Sequence, residues 1–217
     1  MKPQAAVLTG DLVGSTKATA EAVQAAMDQI EATASELPEI TSFTRFRGDG
    51  WQVYMEKPGL ALATSLLIFA RLRAAAGLES RIAIGLGEAN LSSFKAVLTA
   101  RSIHAANGPA FVFSGRALDD MRKEQRLTLA GEGVDPLHRR LIAIIDEKVS
   151  HWSVEQSEAM AIALAPGATM TQQEMAARLG ITRQAVASRL RAAEFRQINA
   201  AAIDFLYHFG EDHRKDA

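Results

Sequence analysis

A chain of 217 residues is long enough for one sizeable domain and a second, smaller one. Its composition, 48% hydrophobic and 23% charged, is that of a folded globular protein, and a net charge of −1 argues against a general nucleic-acid coat. With no cysteine, the chain has no disulfide, thiolate metal site or cysteine nucleophile. Asp11 comes too early for the apolar core of a signal peptide, and the apolar run over residues 59–70 is too short to span a bilayer. We therefore expect a soluble cytoplasmic protein without a membrane partner.

The first 87 residues alternate between strand and helix patterns. A short apolar run before a glycine is typical of a buried strand, and Pro38 ends the first helical pattern. The sequence Gly48-Asp49-Gly50 predicts a tight turn inside a hairpin. In chain order the patterns predict a strand, a helix, a hairpin, a helix and a strand, over residues 5–10, 19–37, 41–47 with 51–55, 60–75 and 81–86. This order predicts a ferredoxin-like α+β domain.

The second half of the chain is predicted to be mostly helical. The helical patterns cover residues 91–104, 111–123, 137–152, 154–164 and 195–209. One short strand pattern covers residues 127–130. The run at residues 131–136 is the best candidate for a domain boundary. We therefore expect a ligand-binding domain over residues 1–135 and an all-α domain over residues 136–217.

Residues 171–191 carry the most specific pattern in the chain. Thr171 and Glu174 have the spacing of a capping box, Gly180 is suited to end the first helix, and Thr182 to start the second. Apolar residues at helical spacing are expected to face inward, namely Met175, Ala176, Leu179, Ile181, Ala185, Val186 and Leu190. Small Ala176 allows the two helices to approach closely, as a helix-turn-helix unit requires. The alternative is an ordinary helical hairpin with a solvated polar face.

The outer side of the second helix has the residues of a DNA-reading helix. Arginine pairs with guanine and glutamine with adenine, while small residues let the helix lie deep in the major groove. Residues 182–196 also hold four arginines against one acidic residue, Glu194. The predicted contacts to double-stranded DNA are Thr171, Gln172, Thr182, Arg183, Gln184, Ala187, Ser188 and Arg191.

Two aspartates form a second candidate site. Asp11 ends the first predicted strand and Asp49 lies at the tip of the neighbouring hairpin, so the two carboxylates are expected to converge on a hard cation such as Mg²⁺. Arg45, four residues before Asp49, is expected on the same face of the strand. Between Asp11 and the helix, backbone N–H groups suited to phosphate come from Val13, Gly14, Ser15 and Thr16. The alternative is structural: Asp11 caps the following helix and Asp49 shapes the turn.

Three motifs, GDLVGST, RFRGDGWQVY and RIAIGLGEA, resemble the catalytic domain of class III adenylyl and guanylyl cyclases, over roughly residues 5–118. With the helix-turn-helix pattern, the whole chain resembles the SatD-type bacterial proteins. The resemblance implies that Asp11 and Asp49 bind metal ions and that Arg45 stands at a base-reading position, where a lysine reads ATP in the cyclases.

The resemblance also exposes departures from the cyclase pattern. GPAFVFSGRAL resembles the cyclase helix that carries an asparagine and, four residues later, an arginine that stabilises the transition state. Arg116 matches the arginine, but Val112 replaces the asparagine and Ala105 falls at the second base-reading position. Asn107 is too far from Arg116 to act from the same helix face. Because valine cannot hydrogen-bond the ribose, we expect a nucleotide sensor without catalytic residues rather than an enzyme.

These observations predict an α+β protein in which a ferredoxin-like, cyclase-type domain precedes an all-α helix-turn-helix domain. Its predicted function is that of a DNA-binding transcriptional regulator that senses a nucleotide with Mg²⁺. The cyclase resemblance, which implies head-to-tail dimers, and an apolar stripe in the last helix predict a homodimer; the stripe comprises Ile198, Ala202, Phe205, Leu206 and Phe209. Two alternatives stay open: an active class III nucleotidyl cyclase with a DNA-targeting appendage, and a binding protein whose helical hairpin only dimerises.

Overall fold

The computed structural model describes residues 3–37, 41–46, 48–76, 78–89 and 108–210. Within these residues the protein is α+β, with one mixed five-stranded sheet and eight α-helices. The helix predicted over residues 91–104 lies outside the described residues, as do Pro38, Ala105 and Asn107.

The strands are β1 (Ala5–Val13), β2 (Thr41–Phe46), β3 (Gly50–Met55), β4 (Glu79–Gly87) and β5 (Leu127–Gly131). The helices are α1 (Ala20–Ser35), α2 (Ala61–Ala76), α3 (Pro109–Asp119), α4 (Pro136–Ser150), α5 (Val154–Ala163), α6 (Gln172–Leu179), α7 (Arg183–Ala192) and α8 (Phe195–Phe209). Two short 3-10 turns, Ser15–Lys17 and Pro58–Leu60, follow β1 and precede α2. The predicted order of strand, helix, hairpin, helix and strand up to residue 87 is confirmed.

The strands lie in the order β2-β3-β1-β4-β5. Strand β1 is central and antiparallel to both β3 and β4, β2 is antiparallel to β3, and β5 joins β4 in parallel. Apolar side chains of the sheet pack with α1, α2 and α4 on one face, for example Leu8 with Ile30 and Ile142 in one buried cluster. Helix α3 covers the other face, where Val7 and Tyr54 pack with Ala110.

Helix α3 lies very close to the sheet. A Cβ atom added at Gly85 in β4 would lie 2.2 Å from the carbonyl oxygen of Ala110, so no larger residue fits there. The hydroxyls of Thr9 in β1 and Ser114 in α3 are hydrogen-bonded at 2.7 Å in the buried contact. These two contacts fix the position of α3 against β1 and β4.

The main apolar core continues from the sheet into the C-terminal helices. Leu8 of β1, Met175 of α6, Val186 of α7 and Phe205 of α8 belong to the same buried cluster. Helix α2 contacts both α5 and α8, and α8 also packs on the 3-10 turn Pro58–Leu60. The C-terminal helices are therefore attached to the sheet by buried apolar contacts.

This packing contradicts the use of the apolar stripe of α8 as a dimer contact. Most of the apolar stripe of α8 is buried within the chain itself, at Ile198, Ala202, Phe205 and Phe209. The prediction that this stripe forms a dimer contact is wrong, because α8 folds back onto α2 and uses the stripe there. The homodimer itself stays a prediction.

The segment Pro58–Ala75 is the one stretch within the described residues that is long and apolar enough to cross a membrane. However, 67% of it is buried inside the fold. It is the central core helix of the protein, which is consistent with a soluble protein.

Candidate functional site

Helix α6 begins with the capping box that the sequence predicts. The Thr171 hydroxyl oxygen accepts from the backbone N–H of Glu174 at 3.3 Å, and Glu174 Oε2 accepts from the N–H of Thr171 at 2.6 Å. The hydrogen bond from the Thr171 backbone, followed by that from its side chain, lowers the pKa of Glu174. The cap thus satisfies N–H groups that a helix start leaves without partners.

A tight turn joins α6 to α7. Gly180 adopts the left-handed conformation, with φ 67° and ψ 30°. The N–H of Ile181 donates to the carbonyl of Ala176 at 3.0 Å, which closes the helix end in the Schellman pattern. Thr182 then caps α7 by accepting from the N–H of Ala185 at 3.1 Å. Both helix boundaries predicted from the sequence are confirmed.

The inward faces of the two helices meet on α5. Met175, Ala176, Val186 and Leu190 are buried, as predicted, and Leu179 and Ile181 pack against the same cluster. Helix α5 contacts both α6 and α7. Arg189 of α7 is bound to Glu158 of α5 at 2.8 Å, so this arginine serves the packing of the helices.

The outer face of α7 is open to solvent. Seven of the predicted contact residues are exposed and Ala187 is half-buried; the exposed ones are Thr171, Gln172, Thr182, Arg183, Gln184, Ser188 and Arg191. Among the described residues, neither Arg183 nor Arg191 is paired with a carboxylate. The helix therefore presents guanidinium and amide groups to solvent, and no carboxylate of the described residues pairs with either guanidinium.

The second candidate site lies where β1 and β4 pair. Asp11 is directly opposite Arg81, whose Nε donates to Asp11 Oδ1 at 2.9 Å and whose Nη2 donates to Oδ2. The hydrogen bond to Asp11 is the main cause that raises the pKa of Arg81, and the charges of Asp119 and Asp49 raise it further. Asp11 thus binds this guanidinium directly, and Asp49 and Asp119 add negative charge in its neighbourhood.

Asp49 lies in the turn between β2 and β3 and contacts the loop after β1. Its Oδ2 accepts from the Ser15 hydroxyl, and its backbone carbonyl accepts from the N–H of Leu12 at 3.3 Å. Asp11 is paired with Gly50, the residue after Asp49. The structure therefore brings together Asp11, Asp49 and the predicted phosphate loop at residues 13–16.

The helix after this loop begins where the sequence predicts, at Thr19, and a short turn precedes it. Gly14 has φ 73° and leads into the 3-10 turn Ser15–Lys17, whereas α1 is capped by Thr19, which accepts from the N–H of Ala22 at 3.2 Å. The N–H groups of residues 13–16 therefore lie at the start of the 3-10 turn and not at the N-terminus of α1, which corrects that part of the prediction. The alternative in which Asp11 caps the helix is also wrong, since Thr19 does so.

Two predicted arginines lie apart from the carboxylates. Arg45 is opposite Trp51, which is buried on the α1 side, and its Nη1 donates to Gln24 of α1 at 2.5 Å. Side chains alternate along a strand, so Arg45 lies on the other face of the sheet from Asp11. Strand β2 ends at Phe46, and the alternation does not extend to the turn.

Arg116 is exposed on α3. Ala110 and Ser114 are the buried residues of this helix, whereas Val112 is 45% exposed. Val112 and Arg116 therefore lie on the outer part of α3, where no hydrogen bond joins Arg116 to the carboxylates within the described residues.

The sequence predicts a metal ion at Asp11 and Asp49. Within the described ranges, no group of three or more His, Cys, Asp or Glu side chains could hold a metal ion. Both oxygens of Asp11 already accept from Arg81. A cation at Asp11 would have to displace the guanidinium, so the arrangement as it stands fits Mg²⁺ poorly.

Arg81 is the residue of this site that the sequence reasoning missed. It opens the motif RIAIGLGEA, but its role depends on the antiparallel pairing of β1 with β4 across 70 residues. Aligning the two apolar runs antiparallel would have placed an arginine opposite Asp11.

No protein-family model matches this chain, and no curated protein matches it in sequence.

Proposed function

We propose that this protein is a cytoplasmic transcriptional regulator that binds double-stranded DNA through α7. The observation that carries the proposal is the exposed face of α7, where Arg183 and Arg191 pair with no carboxylate of the described residues and lie beside Gln184 and Ser188. The cap at Thr171, the turn at Gly180 and the spacing of the buried residues over residues 171–191 support a helix-turn-helix unit. The second helix of such a unit reads the major groove.

The experiment is selection of bound sequences from a random duplex library by the purified full chain. An enriched motif is expected, and Arg183→Ala should weaken binding to it. Arg139→Ala, at an exposed position of α4 outside the predicted contacts, is the matched control and should bind like the wild type. A library that shows no enriched motif would refute DNA-sequence recognition.

We further propose that the sheet domain is of the ferredoxin-like, cyclase type. The order β2-β3-β1-β4 with antiparallel neighbours, and helices in both crossovers, supports this assignment. In this proposal the domain senses a nucleotide with Mg²⁺ and does not cyclise it, since Val112 offers no polar atom to the ribose. Binding of the cation requires that Arg81 release Asp11.

Titration calorimetry with ATP or GTP and Mg²⁺ tests this second proposal. Binding by the wild type and none by Asp11→Ala supports it, whereas absence of binding by the wild type leaves Asp11 with a structural role only. Chromatography of the same mixtures is expected to show no cyclic nucleotide. A cyclic product would instead support the enzyme alternative.

The dimer proposal now rests on a different surface. Helices α4 and α8 lie antiparallel: the ring centroids of His138 and His208 are 4.4 Å apart at one end, and Lys148 binds Glu194 at 2.6 Å at the other. Large apolar side chains are exposed along this pair, at Leu137, Ile144, Ile203 and Tyr207.

This α4–α8 surface carries charges of both signs, including Arg140 and Asp204. A two-fold contact needs such a self-complementary surface, and the occupant we infer is a second copy of the chain. Two recognition helices spaced by about 34 Å would then read a palindrome. Sedimentation at micromolar concentration should give a dimer that Tyr207→Glu dissociates and Val154→Glu, on exposed Val154 of α5, does not.

A further inference from the structure

A cavity of about 550 Å³ lies beside the recognition surface. It opens to solvent and is lined by the end of α5, the segment before α6, one side of α7 and the start of α8. Its volume is within the roughly 300–1,000 Å³ of small-molecule sites in proteins. The apolar part of the lining includes Ile162, Met170, Met175, Leu190 and Phe195.

The charged part of the lining is entirely cationic. Arg191 and Arg196 line the cavity, and none of the lining residues that the structure describes is acidic. Both arginines are exposed, and neither is paired with a carboxylate among the described residues. Arg189, two residues before Arg191 but outside the cavity, has its charge compensated by Glu158 at 2.8 Å. The cavity therefore carries uncompensated positive charge from two arginines within the described residues.

We propose that this cavity binds an amphipathic organic acid, with the acid group on Arg191 and Arg196 and the apolar body against Met170, Met175 and Leu190. Guanidinium groups bind carboxylates through paired, charge-assisted hydrogen bonds. The unbranched methionine side chains adapt to aliphatic or aromatic bodies. A free inorganic anion would leave the apolar lining unused.

The position of the cavity gives the ligand a regulatory role, a step that rests on the proposed function. Gln172, Ala187 and Arg191 belong both to the cavity lining and to the predicted DNA contacts. One guanidinium cannot bind the acid group and the DNA at the same time. The ligand and duplex DNA therefore compete, and the organic acid acts as an effector that releases the protein from its operator.

The test uses decanoate as the probe and the full chain labelled with ¹³C at the methionine methyl groups. Decanoate should shift the resonances of Met170 and Met175 and leave those of Met27 and Met55, which are buried in the sheet core, unchanged. Arg196→Gln should weaken binding roughly tenfold, as the loss of one charged hydrogen bond implies. Arg178→Gln, an exposed arginine of α6 outside the cavity, is the matched control.

Three results would overturn the cavity assignment: no shift at Met170 and Met175, an equal shift at Met27, or equal affinity for inorganic phosphate. Competition is measured separately with a selected duplex. Decanoate should lower the affinity of the wild type for DNA, and Arg196→Gln should need roughly tenfold more decanoate for the same effect. If DNA affinity is unchanged at saturating decanoate, the regulatory role is refuted. If the protein binds no duplex at all, the proposed function fails while the methionine shifts still decide the cavity.

Discussion

Helix α8 provides a sharp test of the continuous core, because its two faces have opposite environments. Phe205 is 4% exposed and its ring lies 4.6 Å from that of Phe209, whereas Tyr207 on the same helix is 73% exposed. The buried face packs on α2 and on the turn Pro58–Leu60. The perturbation is Phe205→Ala, with Tyr207→Ala as the control.

The expected magnitudes differ by several kcal/mol. Removing a buried phenylalanine ring costs about 3–5 kcal/mol, because apolar contacts are lost and a cavity remains. In the monomer, at protein concentrations below those that form the proposed dimer, an exposed substitution such as Tyr207→Ala usually changes stability by less than about 0.5 kcal/mol. Since a domain is stable by roughly 5–15 kcal/mol, Phe205→Ala removes a large part of the total.

The assay is urea unfolding followed by the fluorescence of the two tryptophans. Trp51 lies in β3 and donates to the Ser80 hydroxyl at 3.0 Å, whereas Trp152 follows α4 and donates to the Ala193 carbonyl at 3.2 Å. Trp51→Phe and Trp152→Phe backgrounds isolate each probe. Because both rings belong to one buried cluster, Phe205→Ala should shift both transitions by the same free energy. A shift seen by Trp152 alone would refute a shared core and indicate two independently unfolding domains.

Four further predictions concern single residues. Arg183→Ala should cost about 1–3 kcal/mol of binding at the preferred duplex, measured by fluorescence anisotropy, and relax specificity there. Asp11→Ala should abolish any calorimetric binding of nucleotide with Mg²⁺, because the phosphates lose the cation that offsets their charge. Thr171→Ala should lower the unfolding free energy by about 1 kcal/mol in urea titrations, since α6 loses its cap. Burial raises the pKa of Asp146 above its usual 3.8, so the contribution of this carboxyl group to stability falls as pH rises above that value. Asp146→Asn should therefore become more stable relative to the wild type as pH rises through this range, which urea titrations at several pH values will measure.

The helical pair at residues 171–191 could be predicted because its signals are local. The cap at Thr171, the left-handed residue Gly180 and the buried positions from Met175 to Leu190 all lie within a few turns of one another. Each signal depends on hydrogen bonds or contacts between residues at most a few positions apart. Nothing in the rest of the fold is needed to interpret them.

The parts that could not be predicted depend on distant pairing. An apolar stripe such as the one containing Phe205 indicates that a face is buried, but not whether the partner is α2 of the same chain or a second copy. Arg81 reaches Asp11 only through the β1–β4 register. Arg45 was predicted to share a face with Asp49, but it lies apart from the carboxylates. The alternation of side chains along β2 ends at Phe46, before the turn that holds Asp49.

Helix α5 connects the two candidate sites physically. One side of α5 packs on α2, which lies under the sheet, and the other side packs on α6 and α7. Ala159 and Met160 are buried between these helices, and Glu158 binds Arg189 of α7. Close-packed interiors move as bodies rather than deform continuously. A change at the sheet that displaces α2 is therefore expected to move the recognition helix with it, whereas a flexible linker at residues 131–136 would have absorbed the motion.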